Sequence, residues 1–99
     1  MNVDELLKLY AIGERNFSGV YLHEVYLYEA DLIGANLTKV DFSGADLMGS
    51  SLIRADLTEA ILSASDLSGA NLLGANLTKV NLSGVYLKGA TMPDGTIHD

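Results

Sequence analysis

The segments ANLTKVDFSG (Ala35–Gly44) and ANLTKVNLSG (Ala75–Gly84) are identical at eight of ten positions in a chain of 99 residues. The two copies lie forty residues apart. A recurrence of this kind indicates internal repetition, and the period of the repeat decides the fold before any single motif is interpreted.

The repeat is five residues long. Every fifth residue from Phe17 to Ile97 is large and apolar, and we call this position i; the residue at i−2 is mostly small, and i−1 is usually Asp, Asn or Tyr. A period of five fits neither a helix nor a long strand. It fits a short extended segment followed by a corner. Positions i−2 and i then face inward, i−1 faces outward, and i+1 with i+2 forms the turn.

Position i+1 indicates four repeats per coil, because the order threonine, serine, variable residue, apolar residue recurs every twenty residues from Thr38. Like residues then lie above one another in columns. These columns are Thr38, Thr58, Thr78; Ser43, Ser63, Ser83; and Ile33, Ile53, Leu73. We number the four faces of the coil in chain order, so that Thr38, Ser43, Met48 and Ile53 mark the first to the fourth.

On the first face, position i+2 reads Lys39, Glu59, Lys79 and Asp99. This column alternates in sign, which is mildly favourable at the ~4.8 Å spacing of neighbouring strands.

The pattern A(D/N)Lxx, present as ADLMG, ANLTK, ADLTE and ANLLG, resembles the pentapeptide repeat family over about residues 15–97. The resemblance implies an all-β solenoid, a right-handed quadrilateral β-helix, with about four coils of twenty residues here. Small members with similar tails are abundant in cyanobacteria.

Residues 1–14 break the period and predict an N-terminal capping helix, because a solenoid has to cover its open ends. Asn2 and Glu5 form a capping box, and Gly13 is a suitable stop. The predicted apolar stripe consists of Leu6, Leu7, Tyr10 and Ala11. An amphipathic helix that binds a partner is the alternative.

The pentad pattern is interrupted again by MPDGT, residues 92–96. Pro93 cannot donate to a ladder, and Pro-Asp-Gly is a strong turn signal. We therefore expect the β-helix over 15–97 to end in a closing turn at about 91–99. In proteins of the family an end face can also serve as a dimer contact.

Composition favours a soluble, cytoplasmic protein without a disulfide or a Cys-based zinc site, because the chain has no cysteine and no apolar run near the ~20 residues of a membrane span. No secretory signal is visible at the N-terminus. The net charge of −7 argues against direct nucleic acid binding and against anionic membranes.

No catalytic set is found, and no cofactor or metal site is predicted. His23 and His98 fall on different faces, and no Ser or Thr has a His/Asp arrangement that could activate it. The chain is therefore predicted not to be an enzyme.

Two surface regions are candidates for binding. The candidate interaction surface consists of Ile33, Ile53, Leu73, Met48 and Tyr28. The candidate acidic patch, on the second and third faces, consists of Glu24, Glu29, Asp41, Asp46 and Asp66. Two further tyrosines, Tyr21 and Tyr26, are expected to pack under the N-terminal helix.

These features favour a non-enzymatic interaction or scaffold module that binds an unknown protein partner, or a second copy through an end face or the apolar column. The alternative, implied by the family, is an acidic DNA mimic that binds DNA gyrase or topoisomerase. The charge density of this chain is low for such a mimic. A DNA duplex as long as four coils carries about twelve phosphates, whereas the whole chain has a net charge of −7.

Overall fold

The computed structural model describes all residues 1–99 and contains one helix, α1, over Val3–Ala11. The Asn2 side chain accepts the backbone N–H of Glu5 at 2.8 Å, which confirms the predicted N-cap. The chain turns away from the helix at Gly13, whose φ of 101° lies in the left-handed region and whose N–H donates to the Tyr10 carbonyl at 3.0 Å.

The face that α1 buries differs from the predicted stripe. Leu6 is fully buried and Tyr10 packs against the core, as predicted. Leu7 and Ala11 are exposed, however, and Val3 and Leu9 pack against the core in their place. Positions 3, 6 and 10 follow the same 3.6-residue period as the predicted set, on a face that is turned about the helix axis. Docking against the first coil decides which face of the helix is buried.

Residues 15–91 wind into stacked coils whose pairing consists of single-residue bridges. Every parallel bridge joins residues twenty apart, which confirms the predicted register and the vertical columns. The parallel bridges are Asn16–Asn36, Tyr21–Asp41, Tyr26–Asp46, Asp31–Ser51, Asn36–Asp56, Asp41–Ile61, Asp46–Asp66, Ser51–Asn71, Asp56–Asn76, Asp66–Tyr86 and Asn71–Thr91. The paired residue is always the outward i−1 position, as the extended geometry requires.

The interior is a continuous apolar column. Every position i from Phe17 to Leu72 is buried, and most of the small i−2 residues are buried beside them. Leu77, Leu82 and Met92 are half-buried and pack on the end of this column. The inward assignment of position i is therefore confirmed for the main body of the coil.

The corners place residue i+2 in the left-handed region, with φ between 56° and 75° at each corner from Gly19 to Gly89. A positive φ at the third turn residue alone is the pattern of a type II turn. Glycine occupies this position in many repeats. Seven corners have another residue there: Glu24, Glu29, Lys39, Arg54, Glu59, Ala64 and Lys79.

The C-terminal segment departs from the repeat. Gly95 turns the chain, and Ile97 forms an antiparallel bridge with Thr91. Ile97 is consequently 63 % exposed, and its predicted inward position is wrong. Asp99 lies beside the third and fourth faces, since His98 pairs with Gly89 and Ala90, so the predicted stacking of Asp99 over Lys79 is also wrong. The physical reason is the Pro-Asp-Gly turn, which reverses the chain instead of continuing the coil.

The molecule measures 34 × 23 × 22 Å, and the two similar short dimensions are those of a four-sided cross-section. The structure has no helix of the length and apolarity needed to cross a membrane.

Candidate interaction surface

The apolar column Ile33, Ile53, Leu73, which we call the apolar ridge, forms a vertical file at the corner after the fourth face. The N–H of Gly34 donates to the Ile53 carbonyl, and the N–H of Arg54 donates to the Leu73 carbonyl, both at 2.9 Å. Ile33 and Ile53 are half-buried, and Leu73 is 45 % exposed. The ladder therefore holds three apolar side chains in register on the surface.

Tyr28 and Met48 form a second file one corner away, which we call the flanking pair. The N–H of Glu29 donates to the Met48 carbonyl at 2.8 Å, so Met48 lies directly above Tyr28. Met48 is 45 % exposed and Tyr28 is 63 % exposed. The outward i−1 residues of the fourth face separate the two files. The structure thus brings the five predicted residues onto adjoining corners of one side.

Helix α1 is anchored at the lower end of the ridge through Tyr10. The Tyr10 hydroxyl donates to the Ile33 carbonyl at 2.8 Å and to Asp31 Oδ1 at 3.3 Å. The Arg15 guanidinium carbon lies 3.6 Å from the centre of the Tyr10 ring. Burial, with the Asp31 charge, raises the pKa of Tyr10 above its usual value. These contacts hold the helix against the first coil.

Three aspartates of the acidic patch each accept hydrogen bonds from the corner that follows them in the chain. Tyr26, Asp46 and Asp66 follow one another in a file of parallel bridges on the third face. Asp41 Oδ1 accepts the Ser43 hydroxyl at 2.6 Å and the Ser43 N–H at 2.9 Å, and these bonds lower the pKa of Asp41 below its usual value. Asp46 and Asp66 accept the N–H of Met48 and Ser68 in the same way. One oxygen of each aspartate is thus committed to the turn.

The tyrosines of the first full coil are on the surface. Tyr21 and Tyr26 are 61 % and 78 % exposed, so the expectation that they pack under α1 is wrong. They occupy the outward i−1 position, which the extended geometry turns away from the core. Tyr21 stacks instead on His23 with a ring separation of 4.3 Å. Alternation alone could have identified these two residues as exposed.

Comparison with protein families gives one match, to the model described as pentapeptide repeats, with eight copies over residues 16–52 and 55–92. No curated protein matches the sequence.

Solved structures of pentapeptide repeat proteins are similar to this chain. A protein from the thylakoid lumen of Arabidopsis thaliana is 41 % identical over 83 % of this chain and 57 % of its own, with a TM-score of 0.78. HetL, a protein involved in heterocyst differentiation regulation in Nostoc sp. strain PCC 7120, is 38 % identical over 84 % of this chain and 43 % of its own, with a TM-score of 0.57.

A third pentapeptide repeat protein, also from Nostoc PCC 7120, is 36 % identical over 90 % of this chain and 78 % of its own, with a TM-score of 0.55. The chain spans about half the length of the first two relatives, at 57 % and 43 %. The shared architecture of these proteins is the right-handed quadrilateral β-helix.

Proposed function

This chain belongs to the pentapeptide repeat family, and from that premise we propose that it is a non-enzymatic scaffold of about four coils that binds a protein partner through the apolar ridge and the flanking pair. Proteins of this family are in general structural or interaction modules rather than enzymes.

The observation that supports this surface is the exposure of apolar side chains in a fixed register. Leu73, Met48 and Tyr28 are each between 45 % and 63 % exposed, although the fold has a buried column available for apolar residues. Contiguous apolar surface rimmed by polar groups is typical of protein contact sites. Tyr and Met are also enriched in the cores of interfaces.

The ladder beneath this surface favours binding because it is ordered before a partner arrives. The carbonyls of Ile53 and Leu73 accept main-chain N–H groups of the coil below, each with an N···O distance of 2.9 Å. Association therefore orders only side chains, and less conformational entropy is lost than when a loop folds on binding. A partner with an apolar stripe rimmed by polar groups fits this surface.

The experiment compares Leu73→Lys with Ser43→Lys, which adds the same charge at the same position of a corner on the opposite, second face. Both variants and the parent are used as bait against extract from the source organism. We expect one or more proteins to be retained by the parent and by Ser43→Lys and lost with Leu73→Lys. Equal retention by all three baits would contradict the proposal.

A second copy of the chain is one partner of this kind, through the ridge or through an end face. Sedimentation equilibrium over a hundredfold concentration range tests this case. A dimer that Leu73→Lys dissociates uses the ridge, and a dimer that it leaves intact uses another surface.

The alternative function is mimicry of DNA toward a gyrase or topoisomerase, which the acidic patch favours. The magnitude of the charge does not favour it. Duplex DNA as long as the 34 Å molecule carries about twenty phosphates, against a net charge of −7 here. Gyrase supercoiling assays with and without a fluoroquinolone test this alternative. If micromolar protein changes neither supercoiling nor its inhibition by the drug, the alternative is excluded.

A further inference from the structure

The second face has a regular ladder at its lower two levels. Each level has two amides of the lower coil that donate upward and one amide of the upper coil that donates downward. Leu22 and Glu24 donate to Asp41 and Ser43 at 2.8 Å, and Asp41 donates to Val20 at 3.1 Å. The level above repeats this pattern between residues 40–44 and 61–63.

The next level of the same face is open. Leu62 and Ala64 do not donate to Asn81 and Ser83, Asn81 does not donate to Ala60, and no bridge joins residues 61 and 81. The adjoining faces are closed at this level, since Glu59 donates to Thr78 at 2.9 Å and Leu67 donates to Tyr86 at 2.7 Å. The separation of the two coils is therefore confined to one face.

A cavity of about 270 Å³ lies between the two coils at this level, and we call it the second-face groove. Its lining residues are Glu59, Ala60, Ile61, Leu62, Ser63, Lys79, Asn81 and Ser83. Leu62 is 1 % exposed and Ala60 is 4 % exposed, yet the Leu62 N–H has no protein acceptor and the Ala60 carbonyl has no protein donor. Main-chain groups of a packed coil are almost always paired, so this donor and this acceptor are available to a ligand in the groove.

We propose that the second-face groove binds a short extended peptide segment, which pairs with residues 60–64 in the way that a coil does at the lower levels. The first residue of the segment donates its N–H to the Ala60 carbonyl and accepts the Leu62 N–H. The carbonyl of its third residue accepts the Ala64 N–H. This is strand addition with the peptide parallel to the chain.

The chemistry of the lining favours a neutral main chain over a charged ligand. Glu59 and Lys79 both line the groove and have opposite signs, so neither an anion nor a cation gains a net attraction. The volume lies just below the ~300 Å³ at which pockets for small ligands begin, which limits the segment to a few residues with small side chains.

This site uses none of the residues of the ridge or of the flanking pair. It adds a peptide as a second ligand to the proposed interaction module. Loss of peptide binding would leave the ridge experiment unaffected, and failure of the ridge experiment would leave the groove unaffected.

The first test is NMR titration of the uniformly ¹⁵N-labelled protein with the pentapeptide acetyl-Ala-Thr-Ala-Thr-Ala-amide. We expect saturable shifts at the amides of Leu62, Ala64 and Asn81, and at least tenfold slower hydrogen exchange of Leu62 and Ala64. The matched control is the same peptide methylated at every backbone nitrogen, which cannot donate to Ala60. It should produce no saturable shift.

The second test blocks the groove with Ser83→Trp and uses Ser68→Trp as the control. Both serines lie at a corner two residues after an Asx residue, both backbone amides donate to the oxygen of that Asx side chain at 2.9 Å, and only Ser83 lines the groove. We expect Ser83→Trp to weaken peptide binding at least tenfold and Ser68→Trp to leave it unchanged.

Three results would overturn the proposal. One is exchange of the Leu62 and Ala64 amides in the free parent protein that is as slow as that of Phe42 and Gly44, which would mean a closed ladder. The second is the absence of saturable shifts at millimolar peptide. The third is binding that shifts only residues outside the groove. The exchange measurement uses the parent protein, so the conclusion does not depend on whether Ser83→Trp folds.

Discussion

At the scale of single residues, the outward Asp or Asn at position i−1 builds the corner. Wherever one of the two occurs at this position, its side-chain oxygen accepts the N–H of residue i+1, two positions along the chain. These pairs are Asn16–Ser18, Asp31–Ile33, Asn36–Thr38, Asp41–Ser43, Asp46–Met48, Asp56–Thr58, Asp66–Ser68, Asn71–Leu73, Asn76–Thr78 and Asn81–Ser83. This is the Asx turn, and it needs an acceptor rather than a charge. Aspartates can therefore accumulate on the second and third faces without altering the fold.

Two buried serines at position i−2 test how much a hydrogen bond to a buried hydroxyl contributes to stability. The Ser65 hydroxyl donates to the Leu62 carbonyl at 2.7 Å, whereas the Ser50 hydroxyl is buried without a partner. We expect Ser50→Ala to raise the free energy of unfolding by about 1 kcal/mol and Ser65→Ala to lower it by about 1 kcal/mol. Urea denaturation measures both, and destabilisation of similar size in the two variants would contradict the assignment of Ser50.

The left-handed corners give a second test. Ala64 has a φ of 59°, so Ala64→Gly should stabilise the fold by about 1 kcal/mol. Gly44→Ala should destabilise it by more, because φ is 65° and the new Cβ would lie 3.1 Å from Glu24 Cγ. The melting temperatures of the two variants should move in opposite directions, and movement in the same direction would argue against strain at these corners.

At the scale of elements, α1 and the C-terminal segment cover the two ends of the coil in different ways. The helix covers the first coil with Val3, Leu6 and Tyr10, and Tyr10 ties it to the Ile33 carbonyl. The C-terminal segment reverses and pairs with residues 89–91. Neither element contributes a turn of the repeat, and each satisfies part of an edge that a solenoid otherwise leaves unpaired.

The docking of α1 is tested by adjacent leucines. Leu6 is fully buried, so Leu6→Ala should lower the free energy of unfolding by about 2–5 kcal/mol, as truncations of other buried leucines do. Leu7→Ala should cost less than about 1 kcal/mol, because Leu7 is 38 % exposed. Chemical denaturation distinguishes the two variants, and equal losses would mean that the helix docks on another face.

At the scale of the whole molecule, a single apolar column joins all levels. Buried leucines and phenylalanines follow one another from Phe17 to Leu72 without an intervening polar layer, apart from small serines at i−2. Each coil contacts only its neighbours, so stability is approximately a sum of the coils and of the interfaces between them. An interruption in the middle of the column therefore removes the stabilising contacts of its coil with both neighbouring coils.

Leu52→Asp tests this dependence, because it places an unpaired carboxylate at a fully buried position in the middle of the column. We expect loss of the cooperative thermal transition in circular dichroism. Asp46→Asn is the control and should change stability by less than about 0.5 kcal/mol, since an asparagine oxygen can also accept the Met48 N–H. A parent-like melting curve for Leu52→Asp would refute the inward assignment of position i.

Much of the fold could be predicted from the order of residues. The pentad pattern predicted which positions face inward, and the recurrence of Thr38, Thr58 and Thr78 predicted that paired residues lie twenty apart. Asn2 predicted where the helix begins. The same register placed the residues of the ridge and the flanking pair on adjoining corners. These features depend on contacts between neighbouring repeats, and a regular repeat carries the same information in every copy.

Other features were decided only by the tertiary structure. The buried face of α1 depends on docking, the path of Ile97 depends on how the Pro-Asp-Gly turn reverses the chain, and the second-face groove depends on pairing between two coils. None of these recurs with the period of five, so no other copy in the sequence specifies it. The repeat by itself determined the coil and its inward and outward positions, because each pentad meets the same surroundings. The ends and the opening were settled in three dimensions, because their surroundings occur only once.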